Sequence, residues 1–206
     1  MKKNILITGA LGYIGTELCK LYSGVSWNHK ITAIDKRFVS RRVNELNNWN
    51  IEFIQADILN IDSIKKYIME ADVIHHLAGI TNVAYVKKDS NKEQDELIER
   101  TAIEGTKNIL DFMKDKSKII FPSTHVVFEG LKEKKENLLE SDKTSTFLAY
   151  SSSKVENEEQ IKKKKKSFNS LVPKICGFIC IYFLNPVIIL QQFSNPVYPT
   201  DNIYHN

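Results

Sequence analysis

At 206 residues and 23.7 kDa, the chain has room for one well-packed domain but not for a second of ordinary size. Hydrophobic residues at 42% and charged residues at 26% exclude a fibrous or wholly disordered chain. The net charge of +4 is small and owes much to one run, Lys162 to Lys166, which reads as a solvated helix end and not as a nucleic-acid stripe. Cys19, Cys176 and Cys180 are an odd count without paired metal-ligand spacing, and no histidine cluster accompanies them, so no metal is expected. Neither a signal nor a transit peptide is read at the start, and cytoplasm is the default compartment.

Taken in order, Lys3 to Thr8 is a compact apolar run suited to a buried parallel strand. It leads into Gly9-Ala-Leu-Gly12-Tyr-Ile-Gly15, after which a helix is expected to about Tyr22. Lys30 to Ile34 predicts a second strand that stops at Asp35, and Ile51 to Gln55 a third that stops at Ala56-Asp57, with a polar connection between them. Helix follows over Ile61 to Met69, strand over Val73 to Leu77, a long amphipathic helix over Glu93 to Met113 and strand over Lys118 to Phe121. Phe147-Leu-Ala-Tyr150 opens a last helix that continues into the lysine run. Strands alternating with helices require crossover connections, so the fold class is α/β, a Rossmann-like doubly wound parallel sheet.

The character of the chain changes after Lys166. Residues 167–206 hold only two charged side chains, Lys174 and Asp201, and four of the five prolines. The division is therefore one α/β domain over 1–166 and an atypical apolar tail over 167–206. A membrane anchor is the rival reading of Ile175 to Leu190, but Asn185-Pro186 interrupts the run short of the roughly 20 residues that a span needs.

Glycines at 9, 12 and 15 follow a strand and open a helix. That is where a pyrophosphate approaches uncapped backbone N–H groups and side chains would obstruct it. Alone, such a triplet marks any tight turn. Asp35, at the end of the second strand, stands where a carboxylate accepts bonds from an adenosine ribose and repels a 2′-phosphate, which favours NAD over NADP. Lys36 and Arg37 beside it are groups that a phosphate would engage. Asp57 at the third strand's end reads equally as a turn former or a helix cap.

Tyr150 and Lys154 lie one helical turn apart on one face. An ammonium beside a phenol favours the phenolate, as a general acid/base near neutrality requires. By itself such a pair is ordinary helix surface. Phe121-Pro-Ser123-Thr124 sits at a strand's C-terminal end, where ligands of open α/β sheets bind, although Pro-Ser-Thr is also plain turn chemistry.

Five motifs in fixed order make the pattern specific: Thr8 to Gly15, His76-Leu-Ala-Gly79, Gly105-Thr-Lys-Asn-Ile-Leu110, Ser123-Thr-His-Val-Val-Phe128 and Tyr150-Ser-Ser-Ser-Lys154. Together, over residues 3 to about 160, they resemble the extended short-chain dehydrogenase/reductases, the NAD-dependent epimerases and dehydratases of nucleotide sugars. The resemblance implies Tyr150, Lys154 and Thr124 as catalytic residues, with Lys154 also on the nicotinamide ribose. It implies Gly9, Gly12, Tyr13, Ile14 and Gly15 as the pyrophosphate loop, Asp35 on the ribose, Asp57 with Ile58 at the adenine, and Ala78 with Gly79 beside the cofactor. Ser123 and Thr124 face the sugar, and Asn108 takes a structural position on the long helix.

The implied cofactor is NAD, the implied partner a nucleotide sugar, and pairing of helices from two copies, including the one that carries Tyr150, implies a homodimer. Three departures qualify this. Ala102 replaces a side-chain amide common in the family. His125-Val126 stands where dehydratases carry Asp-Glu, which favours an epimerase or a reductase; His125 is read either as a substitute base or as a partly solvated side chain. Leu171 to Phe183 lacks the strand, Arg and Val-Tyr-Gly-Pro-like turn of the family, so the C-terminal substrate subdomain is expected to be truncated or replaced, as by a reading-frame slip in the A-rich tract that a lysine run implies.

Overall fold

The computed structural model describes residues 2–81, 90–132, 138–139, 141–165, 170–171 and 174–175. Six parallel strands form the main sheet in the order β3-β2-β1-β4-β5-β7. They are β1 Asn4–Thr8, β2 Lys30–Asp35, β3 Glu52–Gln55, β4 Val73–His76, β5 Lys118–Ile120 and β7 Ser170–Leu171. A short parallel pair, β6 Ser123–Thr124 with β8 Lys174–Ile175, forms a second small sheet. Among the described residues the helices are α1 Tyr13–Ser23, α2 Ser40–Asn48, α3 Ile61–Glu70, α4 Lys92–Phe112 and α5 Ala149–Lys165, with a 3-10 turn at His125–Phe128.

Alternation along β1 explains why helices cover both faces. Leu6 joins one core with Ile64 and Ile68 of α3, Ile109 and Leu110 of α4 and Ile161 of α5. Its neighbours Ile5 and Ile7 point the other way, to Leu18 and Tyr22 of α1 and Val43 and Leu46 of α2. Strand order reverses between β1 and β4, which both pair with each other and lead outward in opposite directions. A crevice opens at the carboxyl ends of the strands at such a reversal.

The doubly wound parallel sheet expected from the alternation is present. The connection read as polar between β2 and β3 contains α2, a helix with only two buried positions, Val43 and Leu46. Two apolar residues three apart give too weak a 3.6-residue signal against a surround of Arg, Asn and Glu, yet each such side chain buried stabilises by about 1.5–3 kcal/mol. Beyond α5 the chain adds β7 alongside β5, with Ile119 opposite Ser170 and Ile120 opposite Leu171. The apolar run from Ile175 to Leu190 lies, but for its first residue, outside the described residues. Among the described residues no helix is long and apolar enough to cross a membrane, and no cluster of three or more His, Cys, Asp or Glu is placed to hold a metal.

Candidate functional site

The glycine turn is built by backbone geometry. Gly9 has φ of +67°, a left-handed conformation that favours glycine, and a Cβ there would come within 2.7 Å of the Ala78 backbone nitrogen. Its carbonyl accepts the Gly12 N–H at 3.0 Å, closing the turn. Gly12 is the N-cap of α1 and offers no side chain to its first N–H groups, so the positive end of the helix is open to an anion. Gly15 packs on the Gly9 carbonyl and Ala10, leaving no room for a Cβ. Tyr13 and Ile14 are exposed, at 61% and 36%.

Asp35 is buried, and both its oxygens are engaged. Oδ2 accepts the Leu11 N–H at 2.9 Å, and Oδ1 accepts the Arg37 N–H at 2.9 Å and its Nε at 3.2 Å. The carboxylate thereby fastens the tip of β2 to the glycine turn. Asp57 accepts the Leu59 N–H at 3.0 Å, making it the turn former of the two simple readings, while Asn60 stands at the N-cap position of α3 without a side-chain cap bond. Burial opposes its charge, but the Lys36 ammonium at 2.8 Å, the Leu59 N–H and Arg100 hold its carboxyl below the usual range. Lys36 and Arg37 are thus each paired with an acid. Ile58 packs against Gly105 of α4 and accepts a bond from Asn108 Nδ2 at 2.9 Å through its carbonyl, which gives Asn108 its structural task.

The wall opposite is tied to the turn by a polar thread. The Ala78 N–H donates to Thr8 Oγ1 at 3.3 Å, Thr8 Oγ1 bonds His76 Nδ1 at 2.9 Å, and His76 Nε2 bonds Thr106 Oγ1 of α4 at 3.0 Å. Gly79 faces open space.

Helix α5 brings Tyr150 and Lys154 to the end of β5. Lys154 Nζ donates to the Pro122 carbonyl at 3.2 Å and lies 4.5 Å from the Phe121 ring centre and 5.7 Å from that of Tyr150. Burial pulls the Lys154 ammonium down to about 8, with the Glu158 carboxylate pulling the other way. Burial pushes the Tyr150 phenol up, so the depression expected from a neighbouring ammonium is outweighed in this structure by the loss of water around the ring. Ser123 Oγ donates to Glu158 Oε1 at 2.5 Å, whereas Thr124 Oγ1 accepts the Val126 N–H at 3.2 Å and caps the 3-10 turn. Of the two hydroxyls, Ser123 has its proton directed inward, and Thr124 keeps its own for another acceptor.

All these groups converge. One cleft of about 630 Å³ is lined by Gly9, Gly12, Tyr13, Ile14, Gly15, Asp35, Asp57, Ile58, Ala78, Gly79, Ser123, Thr124, Tyr150 and Lys154, the residues expected to be catalytic, to hold the cofactor or to face the sugar. A smaller, more open hollow of about 430 Å³ near Lys2, Trp27 and Asn50 is lined by none of them. His125 is exposed and does not line the cleft, in keeping with the solvated of its two readings. Sequence reading passed over Arg42, which reaches from α2 to the Leu11 carbonyl, and Glu158, a buried acid whose only sequence signal was its place one turn beyond Lys154.

A cleft at the switch point of a doubly wound sheet, with an uncapped glycine-turn helix at one end and a Tyr-Lys pair at the other, defines a dinucleotide-dependent enzyme fold of the short-chain dehydrogenase/reductase kind. The chain belongs to the NAD dependent epimerase/dehydratase family, whose model matches residues 5–183. It is 37% identical over 130 residues to the UDP-N-acetyl-alpha-D-glucosaminuronate decarboxylase of Bacillus cytotoxicus, covering 62% of this chain and 38% of that protein. It is 28% identical over 183 residues to the dTDP-D-glucose 4,6-dehydratase of Dictyostelium discoideum, covering 81% of this chain and 41% of that one. Among solved structures it resembles the UDP-glucuronic acid 4-epimerase of Bacillus cereus in complex with UDP-glucuronic acid and NAD. The TM-score is 0.70 at 26% identity, over 84% of this chain and 56% of the other. The chain thus spans less than half the length of these two curated relatives.

Proposed function

We propose that this chain carries the NAD-binding half and the acid/base machinery of a nucleotide-sugar epimerase or reductase. The observation that carries the reading is the cleft itself, which has the uncapped helix at Gly12, the acids at Asp35 and Asp57, and the Tyr150, Lys154 and Thr124 side chains on a single wall system. The residues fit the cofactor: the glycine turn opens the first N–H groups of α1 to a pyrophosphate, with the Arg37 guanidinium 3.9 Å from where a Gly12 Cβ would stand, and Asp35 at the end of β2 supplies a carboxylate for ribose hydroxyls. NAD, when bound, supplies the hydride acceptor and donor.

The chain's own groups do the rest. Tyr150 takes the proton of a sugar hydroxyl as the carbon loses its hydride, and returns it when the hydride comes back. Lys154, held by the Pro122 carbonyl between two aromatic rings, places its positive charge beside the phenol and the ribose. Thr124 donates its hydroxyl proton toward the sugar oxygen. Epimerase or reductase chemistry is favoured over dehydration because His125-Val126 follows Thr124 and His125 lies outside the cleft.

A second reading, an NAD-binding relative without a sugar site, is favoured by the near absence of charged side chains across 167–206. One measurement tests what the two share, and a second separates them. NAD at a hundred times its dissociation constant should stabilise the folded chain by about 2.7 kcal/mol under either reading. Turnover of UDP- or dTDP-sugars occurs only under the first, and Tyr150→Phe should then lower it by about two to four decades while NAD-dependent stabilisation survives. Full turnover in Tyr150→Phe would sink the role given to Tyr150, and absence of turnover with intact NAD binding would leave the second reading standing.

A further inference from the structure

Tyr150, Lys154, Glu158 and Lys162 occupy successive turns of one stripe of α5. Glu158 is 2% exposed, and a carboxylate that deep in a protein is costly unless it is fully engaged. Its Oε1 accepts Ser123 Oγ and its Oε2 accepts Lys162 Nζ at 3.3 Å. The Lys162 side chain is 62% exposed, and an exposed lysine is served equally well by an acid at the surface, so this pair does not explain the burial. The other bond does: it reaches the residue adjoining Pro122, whose carbonyl receives Lys154.

The geometry points to Glu158 as a positioning residue for Lys154, clamping the Pro122–Thr124 strand end to α5 through Ser123 and standing as the buried counter-charge to the Lys154 ammonium. The inference rests on the reading of Lys154 as part of the working pair.

The surroundings of Lys154 leave this task to Glu158. From β4 it faces His76, a fully buried imidazole held neutral by burial, with the lysine's charge lowering it further. From its own helix it faces Tyr150 and Glu158. Phe121, Pro122, Ser123 and Thr124 on the strand side carry no ionisable group. The charged side chains of α4 from Glu96 to Asp111 are exposed, and that helix turns Thr101 to the cleft and Thr106 to His76. His125, on the 3-10 turn packed against α5, is exposed, and Glu129 at the end of that turn gives Oε1 to the Phe147 and Leu148 N–H groups and to Ser151 Oγ at the start of α5. Among these groups Glu158 is the anion that favours the charged form of Lys154, against burial that disfavours it.

The test follows the ionisation of Lys154 directly, by NMR of lysine labelled at Cε, with the Lys154 resonance assigned by its loss in Lys154→Arg. In the unmodified chain the midpoint should fall near 8. In Glu158→Gln, which keeps the shape and a bond to Ser123, the midpoint should drop by about 1 or more, a tenfold fall in the ratio of ammonium to free amine at a given pH. Ser123→Ala, which leaves the charge but cuts the clamp, should lower it by a smaller amount. It should also weaken NAD binding several-fold, and it keeps the proposal testable if Glu158→Gln does not fold. A role confined to packing would lower the melting temperature of both variants and leave the Lys154 midpoint in place, which would overturn the proposal. The titration needs no cofactor, so failure of the unmodified chain to bind NAD would count against the functional reading alone.

Discussion

Asp35 is a structural bond and, in the proposed reading, a recognition group as well. Because its carboxylate already holds the Leu11 N–H and the Arg37 side chain, a ribose hydroxyl that comes to it competes with a guanidinium that is 61% exposed and free to swing toward water. Arg37 also offsets the charge by which Asp35 would repel a 2′-phosphate. Two substitutions separate these effects. Asp35→Asn keeps the shape but weakens the charge-assisted bonds to ribose, and should cost NAD binding about 1.5–3 kcal/mol while narrowing its margin over NADP. Arg37→Ala leaves the carboxylate charge uncompensated and should widen that margin. Calorimetric titration of both nucleotides against both variants checks this; an unchanged NAD to NADP ratio in the two would show that selection lies elsewhere.

At the scale of elements, β4 places two histidines back to back, one on each face of the sheet. His75 Nε2 bonds the Tyr22 hydroxyl of α1 at 2.8 Å, and His76 bridges Thr8 and Thr106. Both are fully buried, and burial holds them near pH 4 and pH 3, against an ordinary 6.5. A base depressed in the folded state gains its proton on unfolding. Stability is therefore complete above about 6.5 and falls as pH drops from there toward 4 and below. Asp57 and Asp72, held below the usual 3.8, add their own losses only further into acid. Urea midpoints between pH 7 and pH 4.5 should decline, and His75→Gln should make the decline shallower. A flat wild-type profile over that range would refute the buried neutral state of the pair. The sequence marked His76 only as part of a motif; its partners sit 68 and 30 residues away, so no local pattern announces them. Long-range pairing hid Glu158 in the same way, for its neighbour Ser123 lies 35 positions upstream. By contrast, the glycine turn and the Tyr-Lys turn of helix are legible because each is complete within a few consecutive residues, and α2 escaped notice because Val43 and Leu46 are its whole buried face.

For the molecule as a whole, composition placed a boundary at Lys166, whereas the family match runs on to residue 183 and β7 lies in register with β5 inside the main sheet. The change in residue usage thus falls within the matched span. The two cores on either side of the sheet differ in how much chain they draw on. One takes its buried residues from Ile5 to Val73, and the other spans Leu6 to Ile161. On a ribosome this sets an order of events. Once Val73 has cleared the exit tunnel, α1 and α2 have all the fully buried residues of their cluster among the described residues, while the opposite face waits for Ile161 to be translated. Domains acquire structure from the N-terminus as they are made, and a half-covered sheet exposes apolar surface to chaperones and to other nascent chains. Arrested nascent chains that expose residues through Leu77 should already protect the Leu18 and Leu46 region from protease, with the Ile64 and Ile68 side protected only in arrests that release α5. Simultaneous protection of both faces at the longer length would mean that the sheet is not assembled one side at a time.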